Sequence, residues 1–286
     1  MKMCANSLLV RSSGNSCYKD MMDSVEFARE AGFQEITLDF YTPMLTDSGW
    51  EKNIADYLDA VSKAGMSVKY THLPYDYPTS GDAEKMAIYQ TAVRRAIDLT
   101  ASVGAFSTAL HAYNELTTDY DPLAEHRKSI EFLSPIVEYA NQKNVRIALE
   151  NMNGAGQKAP QKLRRYATDY ADLIHLADDL GTGICWDTGH GYLSMQNIEK
   201  ALESIGERLL MIHVDDNFGD DDVHLPPFFG KVDFESTVQT LRKIGYQGDM
   251  YLEVRCEYRP DSMKKAYVQA IAESCRTLIN MFEAQK

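Results

Sequence analysis

Apolar residues recur along this chain in two alternating rhythms. Ile54, Tyr57, Leu58 and Val61 repeat at spacings of three and four, as do Ile130, Leu133, Val137 and Ala140, and Ile271, Cys275, Leu278, Ile279 and Phe282. That spacing gathers side chains onto one stripe of a helix. Between such runs lie short β-rich runs: EITLDF from Glu35, SVKYTH from Ser67, AFSTALH from Ala105, VRIALE from Val145, TGICWD from Thr182, RLLMIHV from Arg208 and MYLEV from Met250. Each follows a helix-stopping residue, in order Gly32, Gly65, Gly104, Asn144, Gly181, Gly206 and Gly245, and a further run at Met3–Val10 opens the series. Glycine, and after it asparagine, accepts the left-handed backbone at a helix end. The pattern predicts strands and helices alternating eight times, the count of an α/β (β/α)8 TIM barrel. A doubly wound open sheet is the other arrangement. It usually carries a glycine-rich phosphate loop after its first strand, and Ser12–Gly14 does not make one. No compositional break marks a linker, so residues 1–286 are read as a single domain. The longer non-periodic stretches, Asn151–Thr168 and Asp215–Lys231, follow the fifth and seventh strands and are expected as loops over the face where the strands end.

Composition narrows the partners. The 44% hydrophobic and 25% charged fractions are ordinary for a folded protein, but 42 acidic residues against 29 Lys and Arg leave a formal charge of −13. A nucleic-acid surface is normally basic, so the acidity disfavours a DNA or RNA partner. No segment approaches the ~18 apolar residues of a membrane span. The apolar stretch in Met1–Arg11 is too short for a signal peptide. The five cysteines (Cys4, Cys17, Cys185, Cys256 and Cys275) are odd in number, scattered and without a CxxC pair, which predicts reduced thiols and a cytoplasmic location. Cys185 reads as a small buried hydrophobe. A homo-oligomer is compatible with the sequence.

The chemistry gathers where the strands end. Six to eight residues after each helix stop stands an acidic residue or a histidine: Asp39, His72, His111, Glu150, Asp187, His213 and Glu253. These types make up about a sixth of the chain, so an unbroken series of seven is more than composition supplies. In a barrel, side chains at the strand ends converge on one pocket. Glu150, Asp187, His213 and Glu253 would bring three carboxylates and one imidazole to a common centre. Desolvated together they repel unless a cation holds them. Three oxygens and one nitrogen suit Mn2+, with Co2+, Mg2+ or Zn2+ as alternatives. His190, Asp222 and His224 lie close by in sequence, and His72 opens THLPYDYP. Asp220 and Asp221 read as solvated loop charges, and His126 and His175 as surface or packing residues of helical runs. Arg255 follows Glu253 by two positions and so faces the same side of its strand. Two roles are open to it: pairing with a ligand carboxylate, or holding a phosphate or carboxylate on a substrate. Among the aromatics, Tyr75, Tyr77, Tyr113 and Trp186 read as packing, and Phe228 and Phe229 as rim residues.

HLPY at His72, ALEN at Glu150, WDTGH through His190, HVDDN from His213, DDVHLPP across Asp222 and His224, and YLEV at Glu253 together resemble the sugar phosphate isomerase/epimerase superfamily with its xylose isomerase-like barrel. The similarity runs over essentially the whole chain. Tagatose 3-epimerase-like enzymes look like the nearest mechanistic template. That resemblance implies that Glu150, Asp187, His213 and Glu253 bind a divalent metal, usually Mn2+, that Glu150 and Glu253 double as the acid/base pair, and that His190 contacts substrate oxygens. His72, His111, Asp222, His224 and Arg255 complete the expected substrate-binding set. The superfamily also contains endonuclease IV, a trinuclear zinc enzyme. Its ligand set maps onto His72, His111, Glu150, Asp187, His190, His213, Asp222, His224 and Glu253, all present here; the net charge argues against it. One departure concerns the rim. The uncharacterised sugar-isomerase branch usually has a Gly-Glu-Gly stretch before Ile-Asp, where this chain has Pro227-Phe228-Phe229-Gly230-Lys231-Val232-Asp233.

The chemistry so implied is proton transfer beside the carbonyl of a small sugar or sugar phosphate. The metal stabilises the enediolate, one carboxylate removes the proton, and the other, kept protonated, returns one. Opposite faces give epimerisation, adjacent carbons give aldose–ketose isomerisation, and loss of a hydroxyl from an inosose-type sugar gives a dehydratase.

Overall fold

Eight parallel strands form a ring: β1 (Met3–Ala5), β2 in two pieces (Glu35–Ile36 and Leu38–Asp39), β3 (Tyr70–His72), β4 (Ser107–His111), β5 (Ile147–Glu150), β6 (Gly183–Asp187), β7 (Leu209–Val214) and β8 (Met250–Leu252). They belong to a computed structural model that describes residues 1–11, 17–78, 81–113, 116–155, 163–257 and 260–284. The ring closes at β2. Its first piece pairs with β1 and its second with β3, while the Thr37 amide between them donates to the Ala5 carbonyl. β1 pairs on its other side with β8, Met3 opposite Met250. This is the α/β TIM barrel that the alternation predicted.

Around the ring run α1 (Cys17–Ala31), α2 (Thr42–Thr46), α3 (Trp50–Lys63), α4 (Ala83–Ser102), α5 (Pro122–Gln142), α6 (Tyr170–Leu180), α7 (Thr188–Leu193), α8 (Ile198–Ile205), α9 (Phe234–Lys243) and α10 (Asp261–Glu283). The connections from β2 to β3 and from β6 to β7 each carry two helices where one was expected. The apolar stripes face inward: Ile54, Tyr57 and Val61 of α3, Leu133, Val137 and Ala140 of α5, and Ile271, Cys275 and Leu278 of α10 are buried. All seven helix-stopping residues adopt positive φ, from 55° at Gly206 to 87° at Gly32, with Asn144 at 58°. Acidic or amide caps open the helices: the side chains of Asp82, Asp121, Asp169, Asn197 and Asp233 accept backbone N–H bonds at the first turns of α4, α5, α6, α8 and α9. Each such cap contributes about 1 kcal/mol.

The interior of the ring is filled by Cys4, Tyr70, Ala109, Ala148, Cys185, Met211 and Tyr251, small residues set against large ones. Tyr251 reaches upward, its ring 4.4 Å from that of His213, so the packed interior is the floor of the site. Below it, Lys2 pairs with Glu35 at 2.9 Å, and Lys69 and the Tyr70 hydroxyl meet the Asp249 carboxylate.

The first strand is shorter than its apolar run. Asn6 ends it by accepting the Leu8 amide on its side chain (2.7 Å) and the Leu9 amide on its carbonyl (3.0 Å), a local turn that competes with the ladder. The chain resumes as Val10–Arg11, paired with Cys256–Glu257 in a separate two-stranded sheet. Ser12–Gly14 lies outside the described residues, as do residues 156–162 of the loop expected after β5. The five cysteines are free thiols, and Cys185 is fully buried. Among the described residues, no helix is long and apolar enough to cross a membrane.

Candidate metal centre

Four consecutive strands each deliver one donor. Glu150 and Asp187 are the last residues of β5 and β6, His213 is the penultimate residue of β7, and Glu253 follows β8. Their donor atoms lie within 4.8 Å of one another. His213 Nδ1 stands 2.6 Å from Glu253 Oε2, 3.3 Å from Glu150 Oε2 and 3.9 Å from Asp187 Oδ2. Donors sharing one cation at bonds of roughly 2.0–2.2 Å lie about 3 to 4.4 Å apart; the Glu150 and Asp187 contacts of His213 fall in that range, and a single ion between the three oxygens and the nitrogen requires only the Glu253 contact to widen. All four residues are buried. Glu150 Oε1, Asp187 Oδ2, Glu253 Oε2 and both His213 nitrogens have no hydrogen-bond partner among the described residues. Buried polar atoms normally find partners, and an unbound ion is one account of those that do not.

Three further imidazoles share one wiring. His72 Nδ1 faces the Leu73 carbonyl at 2.7 Å, His190 Nδ1 the Asn151 carbonyl at 2.9 Å, and His224 Nδ1 the Glu253 carbonyl at 2.8 Å. A carbonyl only accepts, so Nδ1 carries the proton in each. The opposite nitrogen then faces a carboxylate: His72 Nε2 lies 3.1 Å from Glu150 Oε2, and His190 and His224 Nε2 lie 3.2 and 3.6 Å from Asp222 Oδ2. Metal-binding histidines are commonly oriented in this way by the ring nitrogen that does not bind. His111 Nε2 also approaches Glu150 Oε2, at 3.4 Å. Two further donor groups therefore flank the central four: His72, His111 and Glu150, and Asp215, Asp222 and His224.

The charges adjust to this crowding. Burial opposes ionisation of Glu150 and Glu253, but His213 and the neighbouring imidazoles hold both below the usual carboxylate range. Burial likewise opposes charge on His190 and His213. Asp187 and Asp222 around His190, and Cys185, Glu150 and Glu253 around His213, nevertheless raise both well above the ordinary imidazole value. His111 differs, since burial lowers it. Burial raises Asp187 to about 6, and it raises Asp215 well above its ordinary value. The raised carboxyls beside the centre are thus Asp187 and Asp215, while Glu150 and Glu253 are lowered.

Every predicted site residue comes to this end of the barrel. His111, His190, Asp222, His224, Glu253 and Arg255 line a cavity of about 390 Å3, and Glu150, Asp187, His213 and His72 lie buried at its base. Tyr75 and Tyr77, read as packing, line that cavity. Trp186 is fully buried, and Tyr113 stacks on Phe132 away from the site at 4.1 Å. Phe228 and Phe229 are about half exposed on the β7 loop and do not line the cavity. Phe228 holds φ at 72°, a left-handed conformation that glycine adopts more readily. His126 is a packing residue as read, bonded to Tyr166 and Asp179, and His175 stacks on it from the surface.

Several supporting residues were not foreseen. Asn151 brackets Asp187, donating to its carbonyl at 2.9 Å and accepting its amide at 2.6 Å. Asp187 uses Oδ1 to cap α7 through the His190 amide (2.6 Å), which leaves Oδ2 for the centre. Asp215 accepts the Gly189 amide at 3.0 Å, and a Cβ at Gly189 would lie 2.3 Å from its carboxylate. Asp216 gathers the amides of Gly230, Lys231 and Val232 and so shapes the loop that carries Asp222 and His224. Asn153 and Arg165 also line the cavity. The ALEN and HVDDN motifs contained Asn151, Asp215 and Asp216, but only as neighbours of a candidate ligand.

A family model described as a xylose isomerase-like TIM barrel matches residues 25–280. An uncharacterised protein of Sinorhizobium fredii is 28% identical over 189 residues, 64% of this chain and 58% of that protein. A probable endonuclease 4 of Staphylococcus aureus is 26% identical over 199 residues, 64% of this chain and 65% of that protein. The chain thus spans less than two thirds of the length of these curated relatives. Among solved structures, a D-tagatose 3-epimerase-like protein superposes with a TM-score of 0.73 at 20% identity, covering 98% of each chain, a likeness of fold.

Proposed function

The chain belongs to the xylose isomerase-like TIM-barrel family, and on that premise we propose that it is a divalent-metal-dependent isomerase of a small sugar, an epimerase or an aldose–ketose isomerase, with Glu150 and Glu253 as its acid/base pair. One observation carries the reading: four buried residues from consecutive strands bring donor atoms within 4.8 Å of one another, and each keeps at least one polar atom without a hydrogen-bond partner among the described residues. Glu150, Asp187, His213 and Glu253 would hold the ion, and the donor set favours Mn2+. A divalent cation bound there supplies Lewis acidity to the oxygens of a carbonyl sugar, which makes the adjacent C–H acidic.

The remaining work falls to the protein. Glu150 and Glu253 flank the centre from β5 and β8, and both are held ionised, so either can remove a proton. The glutamate that takes the proton becomes the acid that can return it. Return to the neighbouring carbon by that glutamate, with a proton passed from one of the two substrate oxygens to the other, isomerises the sugar. Epimerisation needs the partner first to take up a proton from water or a substrate hydroxyl, and then to deliver it to the same carbon from the other face. His72 and His111 fix the Glu150 carboxylate, and His190, Asp222 and His224 are set to orient substrate hydroxyls at the mouth.

Glu150→Gln should keep the fold and abolish exchange of substrate hydrogen with solvent. Undiminished exchange into a turned-over ketose would reject the assignment, as would full activity without a divalent ion. A lyase acting on an inosose-type sugar shares the first step and is recognised by a product lighter by one water. A second reading, a three-metal endonuclease, draws on the two flanking donor groups and on the endonuclease 4 relatives. Three zinc ions per chain with cleavage of abasic DNA would establish it; one Mn2+ and no cleavage would reject it.

A further inference from the structure

Arg255 lines the same cavity as Glu253, and only a fifth of its side chain meets solvent. Its one ion pair is long: Nη2 stands 3.7 Å from Glu253 Oε1. A charge-assisted bond between such groups measures about 2.7–2.9 Å. Its Nε is enclosed without a partner, and no other group among the described residues hydrogen-bonds the guanidinium. Glu253 cannot supply the missing partner, because its other oxygen is turned to His213 at 2.6 Å. Pairing with the ligand carboxylate, one of the two roles open to Arg255 in the sequence, therefore leaves most of its donor fork unused.

A guanidinium stays charged at any physiological pH, and its planar fork matches two oxygens of a carboxylate or phosphate. A neutral hydroxyl would satisfy one donor and leave the charge uncompensated. The surroundings suit the same guest. The Tyr75 and Tyr41 hydroxyls are paired at 2.7 Å, which leaves one of their two protons without an acceptor among the described residues, and Arg255 bears electrostatically on both. Arg165 adds a second cation to the cavity wall, and the volume of about 390 Å3 leaves room for a substituted sugar. We infer that Arg255 anchors an oxyanion of the substrate, so that the sugar handled here carries a carboxylate or a phosphate. This rests on the isomerase reading for its substrate class, but not for the anion site itself.

The test compares the Mn2+-loaded wild type with Arg255→Met and Arg255→Lys on a ketose phosphate, a keto-uronate and a neutral ketose. The wild type should prefer one of the two anionic sugars, and which one separates phosphate from carboxylate. Arg255→Met should lower that preference in kcat/KM by roughly 30- to 100-fold. Arg255→Lys should restore only part of it, since a point charge does not reproduce the fork. Equal losses on anionic and neutral sugars would overturn the inference and leave the isomerase reading intact. Calorimetry with inorganic phosphate and with gluconate keeps the two apart if no sugar is turned over. Binding lost in Arg255→Met sustains the anchor; no binding of either anion by the wild type overturns it.

Discussion

Removing one charge from the centre without removing its shape gives the sharpest test of the metal. Asp187 divides its work, Oδ1 capping α7 and Oδ2 facing the other donors. Asp187→Asn retains an oxygen for the cap and abolishes the anionic donor. A ligand present at a thousand times its Kd stabilises the folded state by about 4 kcal/mol. Unfolding entropy near 2.1 cal/mol/K per residue over 286 residues is about 0.6 kcal/mol/K, so saturation of the wild type should raise Tm by about 7 °C. Loss of an outer partner alone weakens metal binding about 10- to 100-fold. If loss of a direct donor costs at least the upper figure, the shift in Asp187→Asn falls to about 2 °C at the same metal concentration. The metal-free variant should melt no lower than the metal-free wild type, because one of the crowded anions is gone. Differential scanning calorimetry of chelator-treated and Mn2+-supplied protein measures all four melts. Coincident wild-type melts with and without Mn2+, or a full metal shift in the variant, would refute the four-donor centre.

Other outcomes follow from single contacts. Gly189→Ala drives a Cβ into the Asp215 carboxylate and should cost about 1–3 kcal/mol in denaturant unfolding while also weakening metal binding; a neutral result would mean that Asp215 swings aside freely. Phe228→Gly should be more stable than Phe228→Ala by about 1 kcal/mol, since φ near 72° suits glycine better than alanine; equal midpoints would show that the loop relaxes instead. Asp249 is held below its ordinary pKa because Lys69 and the Lys2 amide outweigh burial. Its stabilising share is therefore full above the usual carboxylate value of 3.8 and is lost as pH falls through the lower folded value. The stability gap between wild type and Asp249→Asn should be widest near pH 7 and close below pH 3.8, and a gap independent of pH would exclude the charge as its cause.

The architecture was legible because it is written locally. Seven helices here end at a left-handed residue, and Gly32, Gly65, Gly104, Asn144, Gly181, Gly206 and Gly245 announced those ends one by one. The candidate ligands were legible for a related reason: parallel strands of equal orientation bring Glu150, Asp187, His213 and Glu253 to the same end of the barrel, with Asp187 directly opposite His213 and the other two offset by two residues in register. What escaped the sequence depends on sideways reach. Strand alternation turns Asn151 away from Glu150, and only the three-dimensional ring shows that it then grips the backbone of Asp187. Arg165 sits in a loop with no period, so nothing in the sequence ties it to the cavity. The imidazoles packed against Glu150 and Glu253 were equally invisible, because His72, His111 and His213 reach them from other strands. Whether Tyr75 and Tyr77 were wall or filler was likewise undecidable from spacing, since both readings need the same aromatic residue.

The split of β2 between two neighbours has a consequence in time. Its first piece leans on β1, and β1 in turn waits for β8, whose Met250 lies 247 positions after Met3. A ribosome adding about 5–20 residues per second needs roughly 12 to 50 s to cover that interval. During it the amino-terminal strand has one bare edge, an invitation to the wrong neighbour. The last donor, Glu253, arrives with the strand that covers that edge. The proposed four-donor centre therefore cannot be complete before the strand that closes the ring is in place.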